Sequence, residues 1–170
     1  MRVGLIADSH DRVPAVAELL RLMIEGGVGI VLHAGDFCSP FSLDPLHAAQ
    51  VPAAGVFGRN DGDPEGLKAA AERGAVGVEL YQSPHSLEIE GRRVLVVHDL
   101  SDVHRRSVQA HEFVVHGCSH REELRARGDT MIINPGEACG WLHGSPTAAI
   151  LDLATKRVEI LKLTGPEWKF

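Results

Sequence analysis

The strongest constraint on the fold of this chain is an alternation, in its first half, of short apolar runs with segments of helical periodicity. The runs span Arg2 to Ala7, Gly29 to Leu32 and Ala53 to Phe57, which are strand lengths. Pro14 to Glu25 carries apolar residues on one helical face, with a proline in the first turn and two glycines after the end. A second, short helix is expected from Ser42 to Ala49. Strands that alternate with helices predict a parallel sheet.

After residue 76 the pattern changes to shorter runs separated by turn residues. Ser86 to Ile89 and Arg93 to Val97 flank Glu90-Gly91-Arg92, which predicts a hairpin. A helix is expected near Asp102 to Ala110, and strands are expected near residues 113–115, 124, 130–133, 147–153 and 157–163. The whole chain is therefore expected to form an α/β fold in which two packed β-sheets are flanked by helices.

The composition limits the number of domains and the classes of partner. With 44% hydrophobic content, residues 1–170 are expected to form one domain around one substantial core. A formal net charge of −6 provides no basic patch, so no nucleic-acid partner is expected. The first apolar run is too short for a signal peptide, and no later stretch is long enough to span a bilayer. Three cysteines without paired spacing favour a reducing compartment, so the expected location is the cytoplasm.

Polar and ionisable side chains, most of them carboxylates, imidazoles and amides, directly follow several of the predicted strands. Asp8 and His10 follow the first strand, and Asp36 follows the second. Later strand ends carry the other members of this group, which are Arg59, Asn60, Asp61, His98, Asp99, Cys118 and His120. Ligands of open α/β sheets bind at the carboxyl ends of strands, and these donor types suit divalent transition metals, so the pattern predicts a metal site. The competing interpretations are Asp8 as a cap of the helix at Pro14, a role that Asp11 could also fill, and histidines satisfied in the core.

The order of these motifs resembles the calcineurin-like metallophosphoesterase superfamily. The matching segments are Asp8-x-His10, Gly35-Asp36, Gly58 to Asp61, His98 and Gly117-x-Ser119-His120. Two further segments, Leu32 to Asp36 and Asn134-Pro135-Gly136, resemble its small phosphodiesterase subfamily, which also includes a metal-site-bearing scaffold subunit of the retromer coat. The resemblance implies an α/β/β/α layered sandwich.

The resemblance also implies two divalent ions, drawn from manganese, zinc, nickel and iron, with the carboxylate of Asp36 between them. Asp8, His10 and His120 would complete the first site, and Asn60, His98 and Cys118 would complete the second. The implied activity is hydrolysis of a small phosphodiester or phosphomonoester substrate by a metal-bound hydroxide. Asp61 would protonate the leaving group. The alternative is a catalytically weak metal-binding scaffold on the same fold.

The loop after the third strand departs from the pattern of the family. The usual Gly-Asn-x-Asp is here Gly58-Arg59-Asn60-Asp61, and a gap-free alignment puts Arg59 at the metal-binding amide. A guanidinium cannot bind a cation. Either the loop shifts by one residue and brings in Asn60, or the second ion loses a ligand. Arg59 is then a candidate for binding substrate phosphate, and an exposed side chain without a role is the alternative.

A larger departure is Cys118, which stands where the family has an imidazole ligand. A thiolate ligand would shift the metal preference towards zinc or iron, and a plain small residue would weaken the second site. A third hypothesis makes Cys118 the responsive thiol of a regulatory site. Asp99 and Glu137 replace a glycine and a serine, and Asp99 is expected either to support a ligand imidazole or to cap the next helix. A homo-oligomer is compatible with so small an enzyme, but no apolar stripe in the sequence identifies an interface.

Overall fold

The computed structural model describes residues 1–169, so Phe170, the last residue of the expected 1–170 domain, lies outside the described residues. The described part contains β1 (Arg2–Ile6), α1 (Val13–Glu25), β2 (Val28–His33), α2 (Asp44–Ala49), β3 (Ala53–Val56), α3 (Pro64–Ala71), β4 (Val78–Tyr81), β5 (His85–Ile89), β6 (Arg92–Val97), α4 (Arg105–Gln109), β7 (Phe113–His116), β8 (Glu122–Arg127), β9 (Thr130–Pro135), β10 (Thr147–Asp152) and β11 (Arg157–Lys162). Short 3-10 helices lie at Pro40–Leu43, Leu100–Asp102 and Pro166–Trp168. None of the helices within residues 1–169 combines the length and the apolar character that a bilayer crossing requires.

The strands form two sheets. The first has the order β11-β10-β1-β2-β3-β4, in which β1 to β4 are parallel and β10 and β11 are antiparallel to their neighbours. The second has the order β5-β6-β7-β9-β8, with β6, β7 and β9 parallel and antiparallel strands at both edges. Leu5 pairs with Leu32, and Leu32 pairs with Ala54, so the carboxyl ends of β1, β2 and β3 lie together at one edge.

Successive residues of the first sheet face two different cores. Val3 belongs to an apolar cluster between the sheets that also includes Phe113 of the second sheet. Ile6, on the opposite face of β1, packs in a cluster with Leu19 of α1. Val108 of α4 covers the outer face of the second sheet. Because both faces of β1 to β3 are largely buried, these strands are mostly apolar, and the layers follow the order α/β/β/α.

The predicted layered α/β sandwich is confirmed, with two differences in its elements. Strand β4 was not predicted, because it has only four residues and only Val78 among them is buried. The helix predicted near Asp102 to Ala110 is wrong in its extent, since Val103 and His104 are extended between a 3-10 helix and α4. The side chain of Asp99 accepts a hydrogen bond from the N–H of Ser101 and caps that 3-10 helix, as one of the two interpretations of Asp99 expected.

Candidate metal centre

Four predicted ligands meet where the loops after β1, β2 and β7 come together. Asp8, His10, Asp36 and His120 each offer a donor atom, and these atoms lie within 4.8 Å of one another. His10 Nε2 is 3.2 Å from His120 Nε2 and 3.5 Å from Asp36 Oδ2, and His120 Nε2 is 3.7 Å from Asp8 Oδ1. Both carboxylates are buried, whereas the imidazoles are 16% and 13% exposed. The cluster therefore meets solvent on its imidazole side.

Asp36 is contacted on its other side by two more of the predicted ligands. His98 Nε2 lies 3.4 Å from Asp36 Oδ1. Asn60 donates from its backbone N–H to Oδ1 (2.8 Å) and from its side-chain amide to Oδ2 (2.7 Å). Arg59 is 56% exposed and its guanidinium lies 2.7 Å from Asp99. Of the two candidates in this loop, the structure thus places Asn60 against Asp36.

Hydrogen bonds on the far sides of two imidazoles turn Nε2 towards the centre. His98 Nδ1 lies 2.8 Å from the backbone oxygen of Ala34, and His120 Nδ1 lies 2.8 Å from Glu137 Oε2. Because both oxygens are acceptors, they assign the proton to Nδ1 and leave the Nε2 lone pair for another partner. Metal-binding histidines in proteins are commonly oriented in this way.

The environment of Asp8 favours a cation. Its side chain is fully buried, and Oδ2 has no hydrogen-bond partner in the described part of the chain, while Oδ1 accepts from the N–H of Cys118. Burial raises the pKa of Asp8 to about 6, against the opposing effect of the charges of His120 and His98. Burial also lowers the pKa of His10, which favours its neutral form. A buried carboxylate oxygen without a hydrogen-bond partner in the described residues, close to imidazole nitrogens, fits a divalent cation.

Asp36 is held in its ionised form. Burial acts to raise its pKa, but the net shift is downward because the backbone and the side chain of Asn60 donate to the carboxylate. The neighbouring charges of His98 and His10 act in the same direction. The centre therefore combines one carboxylate whose ionised form is stabilised by hydrogen bonds with another, Asp8, whose ionised form is disfavoured by burial.

Left-handed backbone conformations are concentrated around the centre. Ten non-glycine residues of the described chain have a positive φ, and seven of these lie in the loops of the site, namely Asp8, His10, Asp11, Asp36, Cys38, Cys118 and His120. Such conformations are uncommon for non-glycine residues, although Asp, Asn and His adopt them more readily than most. Local backbone strain of this kind clusters at functional sites, where the surrounding structure holds it in place.

Three glycines allow the loops to approach one another closely. A Cβ on Gly58 would collide with Oδ1 and the backbone nitrogen of Asp36. A Cβ on Gly35 would lie 2.7 Å from His98 Nδ1, and one on Gly117 would lie 3.0 Å from Asp8 Oδ2. Glycine at these positions therefore lets the backbone of one loop pass close to the side chains of another.

Comparison with known proteins identifies the family. The sequence model of the calcineurin-like phosphoesterase superfamily domain matches residues 1–156. The chain belongs to this superfamily. It is 29% identical over 167 residues to phosphodiesterase MJ0936 of Methanocaldococcus jannaschii, and the match covers 92% of this chain and 95% of the relative. The predicted class, a metal-dependent hydrolase of phosphate esters, is confirmed at this level.

Solved structures agree with the fold. The structure of an archaeal phosphodiesterase is similar to this chain with a TM-score of 0.84 and 28% identity, covering 96% of this chain and 100% of that protein. A zinc complex of Vps29 from Entamoeba histolytica gives a TM-score of 0.64 and 18% identity, covering 96% and 98% of the two chains. At that identity the likeness to Vps29 concerns the fold alone.

Cys118, which replaces the imidazole expected in this superfamily, contacts Asp99 and Arg59 through its thiol. Its Sγ lies 3.5 Å from Asp99 Oδ2 and 3.8 Å from Arg59 Nη1. Burial, followed by the nearby charge of Asp99, raises the pKa of Cys118 to about 11, so the thiol is protonated at neutral pH. Within residues 1–169, the groups of carboxylate, imidazole and thiol donors within 4.8 Å include neither Cys118 nor His98. Ligation by Cys118 stays a prediction.

Asp61 joins the loops after β2 and β3. Its Oδ1 accepts from the N–H of Cys38 at 2.8 Å, and its Oδ2 accepts from the N–H of Gly58 at 2.6 Å. Both oxygens therefore have backbone donors in this arrangement. The role of Asp61 as the acid for the leaving group stays a prediction.

Two interpretations from the sequence concerned the start of α1, and both are wrong. The residue preceding this helix is Arg12, and within residues 1–169 no side-chain hydrogen bond caps the start of the helix. Asp11 instead accepts hydrogen bonds from the N–H and the hydroxyl of Ser39, at 2.9 and 2.8 Å. Asp11 thereby ties the loop after β1 to the loop after β2.

Glu137 is the main residue of the site whose role the sequence did not reveal. It is buried, and besides His120 its carboxylate accepts from the N–H groups of Leu142 (3.0 Å) and His143 (2.6 Å). Burial acts to raise its pKa, but these donors give a net downward shift. The signal was an acidic residue directly after Asn134-Pro135-Gly136, in a position where serine was expected.

Proposed function

We propose that this chain hydrolyses small phosphodiesters at the centre formed by Asp8, His10, Asp36 and His120. The observation that carries the proposal is the buried Oδ2 of Asp8, which has no partner in the described residues yet lies in a cluster of carboxylates and imidazoles. Ionised carboxylates this deeply buried are costly unless a cation compensates them. The phosphodiesterase from M. jannaschii, which is similar over nearly the whole chain, supports the choice of a diester.

A divalent cation bound at this centre supplies a nucleophile near neutral pH and stabilises charge on the phosphoryl oxygens. The residues of the chain determine from which side a phosphate group can reach the cation. Asp8 and Asp36 approach from the buried side, while the part-exposed His10 and His120 leave the opposite side open to a phosphate group. These four residues offer only oxygen and nitrogen donors, so manganese, iron, nickel and zinc all suit the centre.

The expected second ion has weaker support. Asp36 has Oδ2 near His10 and Oδ1 near His98, so its carboxylate lies between residues expected to hold the two ions. Asn60 lies on the same side as His98. The remaining expected ligand, Cys118, is turned towards Asp99, so the residues present fit the first ion better than the second.

Metal-dependent turnover tests the proposal. The purified chain is stripped with chelator, reloaded separately with manganese, zinc, nickel or iron, and assayed on bis(4-nitrophenyl) phosphate and on 4-nitrophenyl phosphate. We expect hydrolysis of the diester that chelator abolishes and that Asp36→Asn lowers to the background rate. Asp152→Asn, which changes a carboxylate remote from the centre in β10, is the matched control and should remain active. Bound metal without turnover for any of the four ions would reject the enzyme and leave the scaffold alternative.

A further inference from the structure

Three residues that depart from the pattern of the superfamily contact one another beside the centre. Arg59 follows β3, Asp99 follows β6 and Cys118 follows β7. The guanidinium of Arg59 lies 2.7 Å from Asp99 Oδ2 and 3.8 Å from Cys118 Sγ, and the thiol lies 3.5 Å from the same carboxylate oxygen. Residues far apart in sequence thus form one contact unit, the Arg59 cluster, where the superfamily has an amide, a glycine and an imidazole.

The Arg59 cluster adjoins the proposed ligands on the side of His98. Asn60, the next residue after Arg59, donates both of its hydrogen bonds to Asp36, and Asp99 directly follows His98. The Arg59 cluster therefore borders Asn60 and His98, two of the residues that were expected to hold the second ion.

The acidic partners of Arg59 orient the guanidinium without covering it. Nη2 lies 2.7 Å from Asp99 and 3.4 Å from Asp102. The side chain is nevertheless 56% exposed, so other N–H donors of the planar group face solvent. A divalent ion bound at Cys118 would lie close to this fixed positive charge, and like charges at short range repel. The thiol would also have to leave Asp99.

We infer that the chain binds one divalent ion tightly, at Asp8, His10, Asp36 and His120, and that the guanidinium of Arg59 replaces the second ion as the cation that contacts the phosphoryl oxygens. Asp99 is the positioning residue for this guanidinium. The inference rests on the proposed function and differs from the two ions that the superfamily implies. A guanidinium donates parallel hydrogen bonds that match the geometry of phosphate oxygens, so it can both neutralise and orient the group.

Metal content tests the first half of the inference. After loading with excess manganese and gel filtration, wild type should retain a single ion per chain, and Arg59→Ala should retain the same. The double variant with Arg59→Ala and Cys118→His removes the guanidinium and supplies an imidazole, so it should retain a second ion. Thermal unfolding confirms that each variant is folded. Two retained ions in wild type would overturn the inference.

Binding of inorganic phosphate to the manganese-loaded chain, measured by calorimetry, tests the second half. Arg59→Ala should bind phosphate about tenfold more weakly, because it loses a charge-assisted hydrogen bond. Arg59→Lys keeps the charge without the planar group and should fall between the two, and Asp99→Asn should weaken binding without changing metal content. Arg121→Ala, an exposed cation next to His120, is the control and should match wild type. Equal affinities of Arg59→Ala and wild type would refute the role of Arg59.

Neither readout depends on turnover. An inactive protein that keeps one ion and binds phosphate through Arg59 would count against the proposed function alone. An active protein that keeps two ions would count against the inference alone.

Discussion

Replacing Asp8 by asparagine should stabilise the metal-free protein while abolishing its metal binding. The carboxyl has a pKa of about 6 against an ordinary 3.8, so the folded state binds its proton more tightly than the unfolded state does. The stability linked to this proton is fully present below the ordinary pKa and is lost as pH rises through the raised one. At neutral pH the ionised carboxylate therefore costs the metal-free protein ~3 kcal/mol.

Asparagine removes most of this cost. It keeps an oxygen for the N–H of Cys118 and tolerates the left-handed φ of 51° at this position. The amide nitrogen of the asparagine would stand in the place of Oδ2 and would have no hydrogen-bond acceptor in the described residues. This unsatisfied donor costs ~1 kcal/mol of stability. The net gain is ~2 kcal/mol, or about 5 °C in Tm for a chain of this length. A metal at 100 times its Kd adds ~3 kcal/mol to wild type and nothing to the variant.

Urea unfolding in chelator and in manganese, at pH 4.5 and pH 7.5, measures these differences. The variant should be the more stable protein in chelator at pH 7.5, should lose most of its advantage at pH 4.5, and should be the less stable one in manganese. Asp152→Asn is the control, and it should lower the stability of the protein rather than raise it. The carboxylate of Asp152 accepts hydrogen bonds from the N–H groups of Thr155 and Ala154, and its pKa is lowered. A destabilised Asp8→Asn protein in chelator at pH 7.5 would contradict the account of Asp8.

Two further predictions concern the support of the centre. Glu137→Gln should weaken metal binding about 10- to 100-fold, as measured by calorimetry, because the amide no longer accepts a charge-assisted hydrogen bond from His120, and Glu137→Ala should weaken it further. Equal metal affinities of wild type and Glu137→Ala would show that His120 needs no such support. Gly58→Ala should lower both Tm and metal affinity, since the new methyl group collides with Asp36, whereas Gly62→Ala, with no neighbour within 4 Å, should leave both unchanged. Similar losses in the two alanine variants would point to loop flexibility as the cause.

The fold could be predicted because its determinants are local. The apolar runs of β1, β2 and β3 and the one-sided helix α1 follow from periodicity, and both cores are visible in the alternation of buried residues. Strand β4 was not predicted because its place in the sheet depends on pairing with β3 rather than on a pattern in its own sequence. In this pairing Ala53 lies opposite Val78, and Gly55 lies opposite Leu80. Its short, half-exposed segment has no pattern that differs from a loop.

The site could be predicted only as far as topology fixes it. Parallel strands that end at one edge bring their following residues together, so the approach of Asp8 and Asp36 follows from strand order. The directions of side chains in the loops depend on partners from distant strands, such as Glu137 for His120. The contact of Cys118 with Asp99 likewise joins residues that follow different strands. The spacing of residues within a motif cannot predict such a contact.

The left-handed backbone of the loops also restricts which residues can evolve in the centre. At Asp8, His10, Asp36 and His120 the φ values lie between 40° and 62°, where branched side chains are strongly disfavoured. Asp, Asn and His are the side chains that tolerate this region best, and they are also the common oxygen and nitrogen ligands of divalent metals. Carboxylate, amide and imidazole can therefore be exchanged at these positions without rebuilding the loops. The backbone conformation thus favours substitutions among metal-binding residue types, so that metal preference can change while the loops of the centre keep their conformation.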